Sequence, residues 1–94
     1  MKATLDQYVV AESDDIEEHA GYRYFPAAAV RMDWLAKADK TARDLQCPHG
    51  VQFYDVVVDG QRHERAAWIY EAPQRAISDK VAQRFGFWKD VTVS

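Results

Sequence analysis

Cysteine is nearly absent from this 94-residue chain, and its scarcity excludes two kinds of architecture. With Cys47 alone, neither an intramolecular disulfide nor a multi-cysteine zinc site can form. A reducing compartment fits this usage. Glycine is equally sparse. Gly21, Gly50, Gly60 and Gly86 stand too far apart for a GxGxxG turn or a Walker loop. The serines are Ser13, Ser78 and Ser94, and none sits in a GxSxG elbow. There is no basic excess: twelve Lys and Arg against fifteen Asp and Glu leave a net charge of -3, so nucleic acid is not an expected partner. No apolar run approaches the roughly 20 residues of a membrane span, and Met1–Val10 lacks the apolar core of a signal peptide. The expectation is a soluble, cytoplasmic protein with no membrane partner.

The chain has the apolar residues for one core. Its hydrophobic fraction is 48%, and it carries three Trp, five Tyr and four Phe, each of which buries much area. The length suits a single domain over residues 1–94. Asp14, Asp15, Glu17 and Glu18 cluster near the start and read as a solvated loop rather than a cation site. His19, His49 and His63 show neither HxH nor HExxH spacing, so no metal and no cofactor is expected.

Short extended segments dominate the pattern. Tyr8–Ala11 reads as a strand broken by Ser13-Asp14-Asp15. Gly21–Pro26 reads as another, with Tyr22, Tyr24 and Pro26 on one face and Arg23 and Phe25 on the other. Ala27–Gln46 is ambiguous. Val30, Trp34 and Ala38 recur every four residues as in a helix, but one turn after Pro26 followed by a strand over Arg31–Leu35 is also allowed. Cys47-Pro48-His49-Gly50 marks a turn.

The strongest signal is Val51–Val58, then Asp59-Gly60, then Arg62–Tyr70: a β-hairpin. A two-residue turn would set Asp55 against Glu64, a like-charge pair. A three-residue loop with a bulge at Gly60 would set Asp55 against His63, and is preferred for that reason. Glu71-Ala72-Pro73 ends the strand. A short helix is expected over Ile77–Arg84, capped by Ser78 or Asp79. Gly86–Trp88, a turn at Lys89-Asp90 and Val91–Val93 read as a closing hairpin. The sum is a mainly β protein of compact antiparallel sheets with one or two short helices.

Several residues carry chemistry on paper. Cys47 beside His49 has the makings of a nucleophile pair, though a structural cysteine in a turn explains it as well. Arg31 and Asp33 flank Met32. On a strand they would share a face, as an ion pair or as a guanidinium offered to an anion. Trp68 and Tyr70 share a strand face, as do Phe85 and Phe87; such ladders belong to a core or line a cleft.

Tyr24-Phe25-Pro26 followed by Val30-Arg31-Met32-Asp33 resembles a block of the domain-of-unknown-function 427 family. Cys47-Pro48 with Gly50, Phe53-Tyr54 with Val56, Ala66–Tyr70 with Pro73, and Phe87-Trp88 with Val91 and Val93 resemble its later blocks in order. The resemblance covers nearly the whole chain. It implies a small bacterial protein with a compact, β-tent-like antiparallel fold, and it turns Arg31–Leu35 from helix to strand. Some labels attach this family to nucleotidyl transfer, but the chain has no Gly-Ser pair and no Asp-x-Asp pair to hold magnesium. It also departs from the family: His49 stands where a Lys is usual before the Gly, and Thr41 lies six residues before Cys47.

Three functions follow as expectations. The first is a module that binds a small polar or anionic ligand in a cleft lined by Tyr24, Arg31, Asp33, Cys47, His49, Tyr54, Trp68 and Tyr70. The second is a protein-interaction or homo-oligomeric domain that uses a strand edge or aromatic patch. The third is an enzyme with Cys47 as nucleophile, or Asp33 or Glu71 as general base.

Overall fold

Backbone pairing sorts the strands among the described residues into two antiparallel sheets. The structure, a computed structural model, describes residues 1–46, 50–70, 81 and 83–94. In chain order its strands are β1 (Lys2–Leu5), β2 (Tyr8–Glu12), β3 (Glu17–His19), β4 (Tyr22–Pro26), β5 (Leu35–Lys37), β6 (Val51–Val58), β7 (Gln61–Tyr70), β8 (Arg84–Phe87) and β9 (Thr92–Val93). The smaller sheet has the order β2-β1-β9, and the larger β3-β4-β8-β7-β6-β5. The antiparallel, mainly β expectation therefore holds, with one short α-helix, α1 (Ala42–Leu45), among the described residues.

One core joins the two sheets. Leu5 and Val10 come from the small sheet, and Phe25, Val56 and Phe85 from the large one. All five are at most 2% exposed. Burying side chains of this size contributes about 1.5–3 kcal/mol each. Phe85 and Phe87 face inward together, as their spacing predicts. The other face of the large sheet carries a second cluster around Tyr24, Val51, Trp68 and Val81.

The Asp59-Gly60 hairpin has the shorter of the two candidate turns. Val58 pairs with Gln61, and Asp59 and Gly60 both have positive φ, at 53° and 76°. This is the backbone that two-residue hairpin turns favour. The expected bulge at Gly60 is therefore corrected: the register shifts mid-strand, with Tyr54 opposite Ala67 and Val56 opposite His63, so Asp55 faces a bulge of Glu64, Arg65 and Ala66 on β7. The clash between Asp55 and Glu64 is relieved there, because the β7 backbone turns left-handed at Arg65 (φ 55°) and offers its N–H to Asp55 Oδ1 at 3.0 Å.

The segment after Pro26 is neither one helix nor a strand over Arg31–Leu35. Two 3-10 turns, Ala27–Ala29 and Met32–Trp34, flank Val30, and the strand begins only at Leu35. Val30 bridges to Ala11, and Arg31 N–H donates to Val10 O at 2.8 Å. Those ties to the small sheet interrupt any longer helix or strand.

The closing hairpin is also corrected. β8 pairs with β4 and β7, whereas β9 pairs with β1, so the chain crosses between sheets over Trp88–Val91. Arg84, expected at a helix end, begins β8. Gln83 has positive φ (61°), which ends any helix before it. Residues 77–80 and Ala82 of that helix, the Glu71–Pro73 stop and Cys47, Pro48 and His49 lie outside the described residues.

Candidate functional site

The β7 bulge organises a polar site at one end of the large sheet. Asp55 lies in an otherwise apolar strand and is 6% exposed. A buried carboxylate needs partners, and it has two. Its Oδ1 accepts the Arg65 N–H, and its Oδ2 accepts from Arg62 Nη1 at 2.5 Å.

Arg65 is held through both its backbone and its side chain. Its carbonyl accepts the Trp88 indole N–H. Its Nη2 donates to Asp44 Oδ1 at 2.9 Å, and its guanidinium lies over the Phe53 ring at 4.0 Å. Asp44 is 5% exposed, and the Arg65 hydrogen bond holds its carboxyl below the ordinary carboxylate range. Asp44 also closes a capping box: it accepts the Thr41 N–H and gives its own N–H to the Thr41 hydroxyl. The linker before α1 is fixed too, since Ala38 O accepts from Gln52 Nε2 at 2.8 Å.

These anchors surround a pocket of about 350 Å³. Lys37, Ala38, Asp39 and Thr41 line one side, and Asp55, Arg62, Glu64 and Arg65 the other. Its size is at the small end of ligand sites.

Phe53 connects Arg65, which lines the pocket, to the aromatic face. Registers align Tyr24, Gly86, Trp68 and Phe53 in one row across β4, β8, β7 and β6. Around Trp68, Tyr22 packs edge-on at 5.0 Å and Trp88 at 5.5 Å, and Trp88 stacks on Phe53 at 6.0 Å. Burial, reinforced by the Tyr70 hydroxyl, pushes the Tyr24 phenol well above its usual range.

The residues expected to line a cleft are distributed over several places. Tyr24, Trp68 and Tyr70 meet on the outer aromatic face. Tyr54 points the other way, into the inter-sheet core against Phe85. Arg31 and Asp33 pair with each other at 3.3 Å on an exposed turn, and Arg31 lies over Trp34 at 4.3 Å. The Arg31 hydrogen bond lowers the pKa of Asp33, the opposite of what a general base at neutral pH needs. Cys47, His49 and Glu71 lie outside the described residues.

Sequence reasoning missed Asp44, Asp55, Arg62 and Arg65 as a constellation. One signal was available: an aspartate inside Val51–Val58, where a charge needs a dedicated partner. His63 Nδ1 faces Asp90 Oδ2 at 2.9 Å, while its buried Nε2 has no partner among the described residues. No group of three or more His, Cys, Asp or Glu poised for a metal occurs among the described residues, nor does a helix long and apolar enough to cross a membrane.

Compared with known families, residues 1–94 match the one described as Domain of unknown function (DUF427). No curated protein matches the chain.

Proposed function

Since the chain belongs to the Domain of unknown function (DUF427) family, which brings no activity to transfer, we propose from geometry alone that it is a small-ligand binding module whose site is the pocket between the β5–α1 linker and the β7 bulge. One observation carries this reading. Two buried carboxylates, Asp44 and Asp55, hold two arginines and a left-handed backbone around an open cavity. Strained backbone and buried charge reduce stability, and they persist where the surroundings fix them for a purpose. The Phe53 ring, lying against the Arg65 guanidinium, helps to fix that side chain at the edge of the cavity.

The interaction reading has less support among the described residues. The large sheet's edges, β3 and β5, are three residues each, and β3 carries Glu17 and Glu18. Short, charged edges resist pairing with a second copy. Among the described residues, the exposed large apolar side chains are those of Met1, Tyr22, Met32 and Leu45, from separate segments.

A thermal-shift panel of small polar metabolites tests the proposal. A ligand at about 100 times its Kd adds roughly 2.7 kcal/mol, which is readable in a domain of this size. Ala38→Phe, which places a ring in the cavity, is expected to abolish every hit while far-UV circular dichroism stays unchanged. Hits that survive Ala38→Phe and disappear with Arg31→Ala would move the site to the Arg31–Trp34 surface and overturn the proposal.

A further inference from the structure

Arg62 is anchored in the pocket wall without being used up. A guanidinium carries five N–H donors. Arg62 gives one nitrogen, Nη1, to Asp55 Oδ2, and its Nε–H and Nη2–H groups make no hydrogen bond among the described residues. Those two groups form a fork that matches both oxygens of a carboxylate. Arg31 shows the fork filled: its Nε and Nη2 reach the two Asp33 oxygens at 3.4 and 3.3 Å. In Arg62 the same fork is open, on a side chain that is 55% exposed and lines the cavity.

The buried partner prepares this fork for a ligand. Asp55, itself buried, fixes one end of the guanidinium, and a side chain already ordered loses less freedom on binding. An anion on Nε and Nη2 leaves the Nη1 bond intact, so Asp55 keeps its compensating charge. The Thr41 hydroxyl accepts the Asp44 N–H and retains its own proton to donate into the cavity it lines. Charge then selects the anion. The lining is balanced, with three cations and three carboxylates, so no excess of positive charge offsets a second negative charge on the ligand.

From this we infer that the pocket binds the carboxylate of a small organic acid with a single negative charge, held two-pronged by Nε and Nη2 of Arg62, with the Thr41 hydroxyl as a donor to the rest of the molecule. The inference rests on the pocket being the binding site. A cavity of about 350 Å³ suits an acid of a few carbons, such as a hydroxy or keto acid. Phosphate dianions and polycarboxylates bind less well, because the carboxylates of the lining oppose their extra charge.

The test titrates sodium lactate, pyruvate and acetate against sodium phosphate and citrate, at one pH and ionic strength, on the intact chain. Calorimetry gives the affinities, and nitrogen-15 NMR follows the arginine Nε–H signals of the unmutated protein. The monocarboxylates are expected to bind more tightly than phosphate or citrate and to shift the Arg62 Nε–H signal. Arg62→Lys keeps a cation beside Asp55 but loses the fork, and is expected to weaken lactate at least about tenfold, the loss of one charge-assisted hydrogen bond. Arg31→Lys, whose fork Asp33 already fills, is expected to change nothing. Lactate binding that Ala38→Phe abolishes but that neither shifts the Arg62 Nε–H nor responds to Arg62→Lys would overturn the inference and leave the pocket proposal standing. Tighter binding of phosphate or citrate at the same place would likewise overturn it. Absence of binding by every probe, and by the wider metabolite panel, would remove both.

Discussion

Trp68 covers Gly86 so closely that a Cβ added at Gly86 would stand 2.6 Å from the indole Cζ2. Gly86 lies between Tyr24 and Trp68 in the register of the large sheet, and its missing side chain is what lets the indole lie across β8. Ring contacts to Tyr22, Tyr24, Phe53 and Trp88 hold the indole in place, so it cannot yield cheaply. Gly86→Ala should therefore destabilise the protein by about 1–3 kcal/mol, the range for overpacking a well-filled site. Urea denaturation measures this. Adding Trp68→Leu should recover part of the loss, and strictly additive effects of the two changes would disprove the contact.

Much of the fold was legible because strand patterns are local. The Val51–Tyr70 hairpin announces itself through Asp59-Gly60 and β-branched flanks, and the inward pair Phe85 and Phe87 follows from alternation. What could not be read depends on distant contacts. Val30 leaves the helical pattern because Ala11 and Val10 capture its neighbourhood. The bulge moved from Gly60 to Arg65 because Asp55, Trp88 and Asp44 together stabilise a left-handed arginine, and no local rule predicts a positive φ there. The candidate pocket is assembled from these same contacts, so it too was invisible. That Trp68 and Tyr70 share a face was recoverable from period two; that Tyr24 joins them depends on pairing across β8.

Arg65 combines an unfavourable backbone with a favourable side chain, and two substitutions separate them. Arg65→Ala keeps the left-handed requirement and removes the guanidinium, leaving the Asp44 carboxylate buried without its cation. Breaking a fully buried pair costs about 3–5 kcal/mol, and the partial exposure of Arg65 reduces this to about 2 kcal/mol. Arg65→Gly loses the same pair but adopts positive φ freely. The glycine variant should be more stable than the alanine variant by about 1 kcal/mol. Equal stabilities from chemical denaturation would show that φ at this position carries no strain.

Stability should fall in acid through Asp44. The Arg65 hydrogen bond and the Thr41 cap depress its folded-state pKa below the unfolded value near 3.9. A depressed carboxyl contributes stability that is fully present above the unfolded pKa and is lost as pH falls through the folded one. The loss therefore begins below about pH 4 and leaves stability at neutral pH untouched. Asp44→Asn should lower stability at pH 7 and flatten the acid limb, read from melting temperatures between pH 7 and pH 2. An acid limb of unchanged slope in Asp44→Asn would assign the effect to other carboxylates.

Tyr24 should mark the alkaline side. Burial first, and then the neighbouring Tyr70, raise its pKa well above the usual value near 10. The sign is opposite to that of Asp44: the neutral phenol is favoured in the fold, so its contribution is complete below about pH 10 and is lost as pH rises towards the folded pKa. Tyr24 should ionise only as the protein unfolds, giving a late tyrosinate component that coincides with the alkaline unfolding transition. Tyr24→Phe removes the late component while keeping the ring that packs edge-on against Trp68. A late component that persists in Tyr24→Phe would place the protected hydroxyl elsewhere. If Tyr24 instead ionised while the fold was intact, water would reach the outer aromatic face, and the row from Tyr24 to Phe53 would be open rather than packed.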